Sequence, residues 1–245
     1  MIWDYIKIAK KFVLDLIFPV FCLNCKQEGE IICSGCQDIL SFIPPQCFVC
    51  GKLVWRNNFR ERYFDLSGRT CLICRRQSHI FAFWSPFSFK ERIIREAVHN
   101  LKYGRQKDIG RILGDIIFEY LKKYSIYPEK NGIVIPIPLH RGRLAERGFN
   151  QAEIIGQILA RKLNLEFEKR ILRRIKHTQS QTELTRELRK NNVAGVFQVK
   201  KREFIKDRIV FLLDDVKTTG VTLEEAAGVL RGAGAKRIIA ITVAH

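Results

Sequence analysis

From residue 88 onward the chain alternates between two hydrophobic rhythms. Ile93, Ile94, Ala97, Val98 and Leu101 recur three and four positions apart, and so do Ile109, Ile112, Leu113, Ile116 and Tyr120. Each set covers one face of a helix. "GIVIPIP" at 132–138, "RIVFLL" at 208–213 and "RIIAITVA" at 237–244 are apolar runs of another kind. Runs of that length, rich in Ile and Val, predict strands buried on both faces. "FNQAEIIGQILARKL" predicts a helix opened by Asn150, with Glu153 three residues on. "TLEEAAGVLRGAG" predicts another, opened by Thr222 with Glu225 and stopped at Gly232 and Gly234. Strand, helix and strand joined by short loops imply a parallel sheet and an α/β fold.

Before residue 80 these rhythms are absent. Residues 1–20 form the exception: Ile2, Ile6, Ala9, Val13, Leu16 and Ile17 share a helical face, with Lys7, Lys10 and Lys11 between them. Asp15 and Pro19 interrupt the stretch, and it is too short and too charged to span a bilayer. It reads as an amphipathic helix that packs on the protein, with a membrane surface as the alternative. Residues 21–80 are rich in turns and too poor in apolar residues to fold unaided, so metal is expected to help. The expected organisation is an N-terminal helix at 1–20, a cysteine-rich module at 21–80 and an α/β domain at 81–245.

Composition sharpens two points. Lys and Arg number 43 against 25 Asp and Glu, a net charge of +18. That balance favours phosphates, nucleic acid or an anionic membrane. The 8 cysteines fall into Cys-x-x-Cys pairs, Cys22/Cys25, Cys33/Cys36, Cys47/Cys50 and Cys71/Cys74, separated by 7, 10 and 20 residues. A disulfide framework needs an oxidising compartment, and the N-terminus lacks a convincing secretory signal. Two Cys-x-x-Cys turns complete a tetrahedral thiolate site, which suits structural zinc. Iron–sulfur clusters and redox dithiols are the alternatives. Two zinc ions are expected, one on Cys22/Cys25/Cys33/Cys36 and one on Cys47/Cys50/Cys71/Cys74; a cross-braced pairing stays open.

The chemistry of the α/β domain concentrates in "FLLDDVKTTGVTLEEAA", residues 211–227. Asp214 and Asp215 stand at the carboxyl end of a predicted strand, where open α/β sheets bind ligands. Lys217, Thr218, Thr219, Gly220, Val221 and Thr222 then lead into a helix N-terminus. Free backbone N–H groups and threonine hydroxyls there make an anion cradle, and Gly220 lets the backbone approach a phosphate. A phosphate in the loop with two carboxylates beside it describes a sugar phosphate, the acids accepting from vicinal hydroxyls.

This string resembles the phosphoribosyl-pyrophosphate (PRPP) motif of type I phosphoribosyltransferases. "HNLKYGRQKDIGRILG" (99–114), "PIPLHRGRLAERGFNQA" (136–152) and "TQSQTELTRELRKNNVAGVF" (178–197) are similar to segments of the competence protein F (ComF) family. The cysteine pairs ahead of them also resemble that family's layout, a double zinc ribbon before a phosphoribosyltransferase domain. The resemblance implies a pyrophosphate loop at Leu139–Arg143, where His140, Arg141 and Arg143 suit a polyanion. It implies a mobile loop at 177–192, with Arg186, Arg189 and Lys190. It further implies Mg²⁺ carried with PRPP or a related ribose phosphate, and single-stranded DNA handled in natural transformation or DNA uptake. Arg141, Arg143, Arg147, Arg186, Arg189 and Lys190 are the expected nucleic-acid residues. The implied setting is cytoplasmic, peripheral to the inner membrane, with a DNA-uptake machine at that membrane's inner face as a further partner. An active phosphoribosyltransferase of nucleotide metabolism or salvage is the alternative function, and a PRPP-binding module without turnover is a third. The sequence shows no nucleobase-binding signature and identifies no catalytic residue.

Overall fold

The computed structural model describes residues 19–57, 62–104, 106–176 and 195–245. The expected N-terminal helix and the loop at 177–192 lie outside them, apart from Pro19 and Val20 of the former.

Five parallel strands form the central sheet: β3 (Ala82–Trp84), β4 (Gly132–Pro136), β5 (Glu166–Phe167), β8 (Ile209–Leu213) and β9 (Arg237–Ile241). Their order across the sheet is β3-β9-β8-β4-β5. β8 and β9 pair in register from Ile209↔Arg237 to Leu213↔Ile241. Two antiparallel pairs lie outside the sheet: β1 (Val54–Asn57) with β2 (Arg62–Asp65), and β6 (Leu172–Arg174) with β7 (Phe197–Val199). The helices are α1 (Ser34–Asp38), α2 (Arg92–Tyr103), α3 (Lys107–Lys123), α4 (Arg141–Arg147), α5 (Gln151–Leu163) and α6 (Val221–Gly232).

The three apolar runs are the three central strands, and strand alternation sorts their side chains into two cores. Phe211 and Leu213 of β8 join Val134 of β4, Ile239 and Ile241 of β9, and the apolar faces of α2, α3 and α5. Val210 and Leu212 point the other way, with Ile133, Ile135, Ile238, Ala240 and the inner face of α6. Helix α3 lies close on α5 because Gly110 and Gly114 carry no side chain. A Cβ at Gly114 would stand 2.9 Å from Ile158.

The two helical faces read from the sequence are those of α2 and α3, and Ile112 alone among the ten is only partly buried. Asn150 caps α5 as its spacing implies, its side chain accepting from the Ala152 N–H at 3.1 Å. Thr222 does not cap α6. The helix begins one residue earlier, at Val221, and its N-cap is Gly220 at φ +80°. Glu225 accepts instead from the Gly195 N–H at 2.8 Å. Two strands extend less far than their apolar runs: β4 stops at Pro136 and β9 at Ile241. Beyond β9, the Thr242 hydroxyl donates to Ser85 Oγ at 3.0 Å, and the backbone of 242–244 continues in isolated bonds to Trp84, Asp215 and Lys217. The edge strand β3 was not expected; its Phe83 and Trp84 are 2% and 3% exposed, so they pack rather than stack on a ligand.

The cysteine-rich segment is woven into both cores. Cys22, Ile32 and Cys36 belong to the core with α2 and α3. Phe48, inside the third Cys-x-x-Cys, belongs to the core with α6.

Candidate functional site

The acidic pair sits where β8 leaves the sheet, held by the extension of β9. Asp214 N–H donates to the Ile241 carbonyl at 3.0 Å, Val243 N–H to Asp215 at 2.9 Å and Lys217 N–H to Ala244 at 2.9 Å. These bonds fix the backbone from which both side chains project. Asp215 N–H also donates to Asp214 Oδ1 at 2.9 Å.

Two adjacent carboxylates repel, and the structure answers them differently. Asp215 is buried and pairs with Lys102 Nζ of α2 at 2.9 Å. Among the described residues Asp214 has no such direct cation. Burial, and then the charge of Asp215, push its carboxyl up to about 7, partly opposed by the Asp215 N–H, Lys102 and Arg174. The site thus sets a carboxylate paired with a lysine beside a proton-avid one.

The loop after the acids has the shape of an anion cradle. Gly220 takes a left-handed conformation that side chains rarely adopt, and a Cβ there would lie 2.8 Å from Phe48 Cζ. The buried Thr219 hydroxyl has no hydrogen-bond partner among the described residues. Its position, next to the first N–H groups of α6, is that of a donor awaiting an acceptor. Thr218 is exposed, and Lys217, Val221 and Thr222 are half-buried.

At Leu139–Arg143 the expected loop becomes a helix. His140 is the N-cap of α4, its Nδ1 accepting from Gly142 N–H at 3.2 Å, so Arg141 and Arg143 ride on the first turn. Arg174, at the end of β6, joins the same neighbourhood. Its guanidinium is lowered by burial and by the charge of Arg143, and raised by Asp214. Arg147 is engaged within the protein: it donates to Gln151 Oε1 at 3.2 Å and lies over the Tyr103 ring at 5.3 Å. Asp214, Asp215, Arg143 and the loop are brought together, with Arg141 on the same short helix. Arg186, Arg189 and Lys190 lie outside the described residues. Lys102 and Arg174 escaped the sequence reading. Lys102 stands in the "HNLKYG" segment quoted for the resemblance, which was the one signal available for it.

The eight thiols form two groups, Cys22/Cys25/Cys33/Cys36 and Cys47/Cys50/Cys71/Cys74, with sulfurs all within 4.8 Å of one another in each. Sulfurs around tetrahedral zinc, each about 2.3 Å from the metal, stand about 3.8 Å apart. The donor set therefore fits a four-thiolate zinc ion, and consecutive pairs share each group. All four ligands would come from protein, leaving no open position for chemistry. The second group touches the loop. Phe48 lies under Gly220, and Lys217 Nζ stands 5.0 Å from the Phe48 ring and 5.2 Å from that of Phe83. Burial in this aromatic cage lowers the Lys217 ammonium, while Cys47 raises it.

The phosphoribosyl transferase domain family model matches residues 102–245. "Competence protein F" of Haemophilus influenzae is 30% identical over 230 residues, spanning 90% of this chain and 95% of that protein. The chain belongs to the competence protein F family. "Competence protein ComFC" of Bacillus subtilis is 26% identical over 214 residues, covering 82% of this chain and 78% of that one. "DNA utilization protein YhgH" of Escherichia coli K12 is 30% identical over 146 residues, 58% of this chain and 62% of its own. A solved allosteric regulatory enzyme of purine biosynthesis matches 57% of this chain and 25% of its own, at 17% identity and a TM-score of 0.35. In this ComF-family chain two cysteine clusters precede a type I phosphoribosyltransferase fold. No helix among the described residues is long and apolar enough to cross a membrane.

Proposed function

We propose that this ComF-family protein binds PRPP with Mg²⁺ at the loop after β8 and handles single-stranded DNA during DNA uptake. The observation that carries the PRPP reading is the loop itself: an acidic pair pinned by β9, an orphaned Thr219 hydroxyl and a left-handed Gly220 at a helix N-terminus. The ribose hydroxyls would meet Asp214 and Asp215. The 5′-phosphate would sit on the N–H groups and hydroxyls of residues 217–222, and Arg141 and Arg143 would attract the diphosphate. Mg²⁺ would arrive on the diphosphate oxygens and offset their charge. Two structural zinc ions complete the folded protein. The names of the relatives and the net charge of +18 support the DNA part. The same considerations favour a cytoplasmic protein working beside a membrane-bound uptake machine.

Calorimetry of the purified chain with PRPP–Mg²⁺ tests the first part; no heat of binding at sub-millimolar protein sinks it. The DNA part is tested by salt-dependent retention of single-stranded oligonucleotides. Reversing Arg141, Arg143 and Arg147 to Glu should weaken retention and flatten its salt slope. A second reading, phosphoribosyl transfer, draws on Asp214. A carboxyl held near neutrality beside the ribose can exchange a proton at working pH. Pyrophosphate release from PRPP in the presence of base or amine acceptors separates turnover from binding alone.

A further inference from the structure

The second cysteine module leaves an unusual surface open. Trp55 and Phe64 face each other across the β1–β2 pair, ring centroids 3.8 Å apart. They are 48% and 41% exposed, and Leu72 and Ile73 beside them are each 81% exposed. These residues do not complete a core, and water is a poor neighbour for them. Trp55, Leu72 and Ile73 line a groove of about 850 Å³ whose walls also include Lys52, Arg69 and Arg75 and three thiols of the second cluster, Cys50, Cys71 and Cys74; Phe64 reaches it through its contact with Trp55.

Besides the thiols, the groove wall holds three cations, Lys52, Arg69 and Arg75, and one carboxylate, Asp65. Arg69 and Arg75 approach the Phe81 ring at 5.5 and 4.9 Å, and Arg237 approaches it at 4.8 Å. Arg237 is paired with Glu129 at 3.1 Å, but Arg69 and Arg75 make no ion pair among the described residues. The one acid in the wall, Asp65, is buried and accepts from the Ser67 N–H at 3.0 Å. Cations of the wall outnumber its single carboxylate, and guanidinium groups favour an anionic partner. None of the residues 214–222 lines this groove. Arg237 opens β9 at the amino end of the sheet, whereas the acidic pair follows the carboxyl end of β8. The groove is therefore separate from the ribose-phosphate loop.

Exposed aromatic faces beside unpaired cations are the requirements of single-strand binding. Bases stack on the rings, and phosphates follow the positive wall. A duplex keeps its base faces covered and offers the rings nothing. We infer that the groove on the second cysteine module is a docking surface for single-stranded DNA: Trp55 and Phe64 stack on bases, and Lys52, Arg69 and Arg75 meet phosphates. The inference rests on the DNA reading given above and adds a surface that reading did not contain.

The test uses the full chain and fluorescein-labelled oligothymidylate, read by polarisation over a salt series. Loss of a base–aromatic stack lowers affinity by roughly 5- to 150-fold. Trp55→Ala with Phe64→Ala should therefore weaken binding by at least about tenfold, and Trp55→Phe should retain most of it. Arg69→Glu with Arg75→Glu should flatten the salt slope. A measurement on the intact groove guards against misfolded variants. Trp84 is 3% exposed, so in a Trp3→Phe chain quenching of the exposed indole by oligothymidylate reports Trp55. Quenching supports the inference, and binding without quenching overturns it. Wild-type affinity in the folded double alanine variant also overturns it, and points to an apolar protein segment as the occupant. If the unaltered chain retains no oligothymidylate at low salt, both the docking surface and the DNA reading fall. The first two failures leave that reading standing.

Discussion

The first cysteine cluster places Cys22, Ile32 and Cys36 in the core beneath α2 and α3, whereas the second places Phe48 beneath Gly220 and Lys217. Their ligands are alike and their neighbours differ. The first braces helices that lie behind the site, although α2 also delivers Lys102 to Asp215. The second is in direct contact with the loop that would hold a phosphate. A metal at the first cluster should therefore act on the stability of the fold. A metal at the second should act on stability and on the shape of the loop together.

The largest expected effect sets the scale for that comparison. Asp214→Asn with Asp215→Asn keeps side-chain size and removes charged acceptors, each worth roughly 1.5–3 kcal/mol. PRPP–Mg²⁺ affinity measured by calorimetry should fall about ten- to a thousandfold, with some recovery because repulsion within the pair also disappears. Metal content should stay at the wild-type value. Unchanged affinity would mean that the pair is not a ribose site.

The clusters themselves come next. Cys47→Ser and Cys22→Ser should each remove one of the two metal ions proposed for the clusters, read by elemental analysis of protein purified without added zinc. Cys47→Ser should also lower PRPP affinity, by about tenfold, or ~1.4 kcal/mol. Cys22→Ser should leave the affinity of the folded fraction within about twofold of wild type. Equal losses in the two variants would erase the distinction between the clusters.

A gentler substitution separates the metal from the contact it supports. Phe48 is 4% exposed, and Phe48→Leu should keep both metals while costing about 1 kcal/mol of stability in chemical denaturation. Loosened packing under Gly220 should weaken PRPP binding by about threefold. If affinity is untouched, the second cluster does not act through this ring.

The last effect concerns pH. Asp214 is raised from 3.8 to about 7, so between those values the folded protein holds a proton that the unfolded chain has released. Its contribution to stability is complete at the acid end of that window and is lost as pH rises through about 7. Asp214→Asn should flatten this part of the profile by up to a few kcal/mol, measured as denaturation midpoints across the window. A wild-type contribution that grows with pH would reverse the assignment.

Much of the site was legible because its parts are contiguous. One strand end, one loop and one helix start lie within "FLLDDVKTTGVTL", and each carries its own local signature. The parallel sheet was legible for a similar reason, since each apolar run is a buried strand by itself. Strand β3 was not. Its three residues, Ala82, Phe83 and Trp84, are too short a run to read as a strand until pairing with Ile239, Ala240 and Ile241 makes them the sheet edge. Thr222 misled because its spacing to Glu225 is that of a capping pair. The left-handed Gly220 took the cap position, and the glutamates at the start of α6 serve other segments: Glu224 accepts from Ser78 and His79, and Glu225 from Gly195.

The amino-acid sequence alone determined β4, β8 and β9, the helices α2, α3, α5 and α6, the Cys-x-x-Cys pairs and the acidic loop. Each rests on residues within a few positions of one another, where backbone geometry and side-chain spacing act directly. Only the tertiary structure decided which cation answers which carboxylate, which cluster lies under the loop and which aromatics remain in water. Lys102 reaches Asp215 across 112 intervening residues, and Phe48 reaches Gly220 from a different module. Contacts of that kind exist only after sheet and core have formed, because burial against a distant segment, not local preference, fixes them.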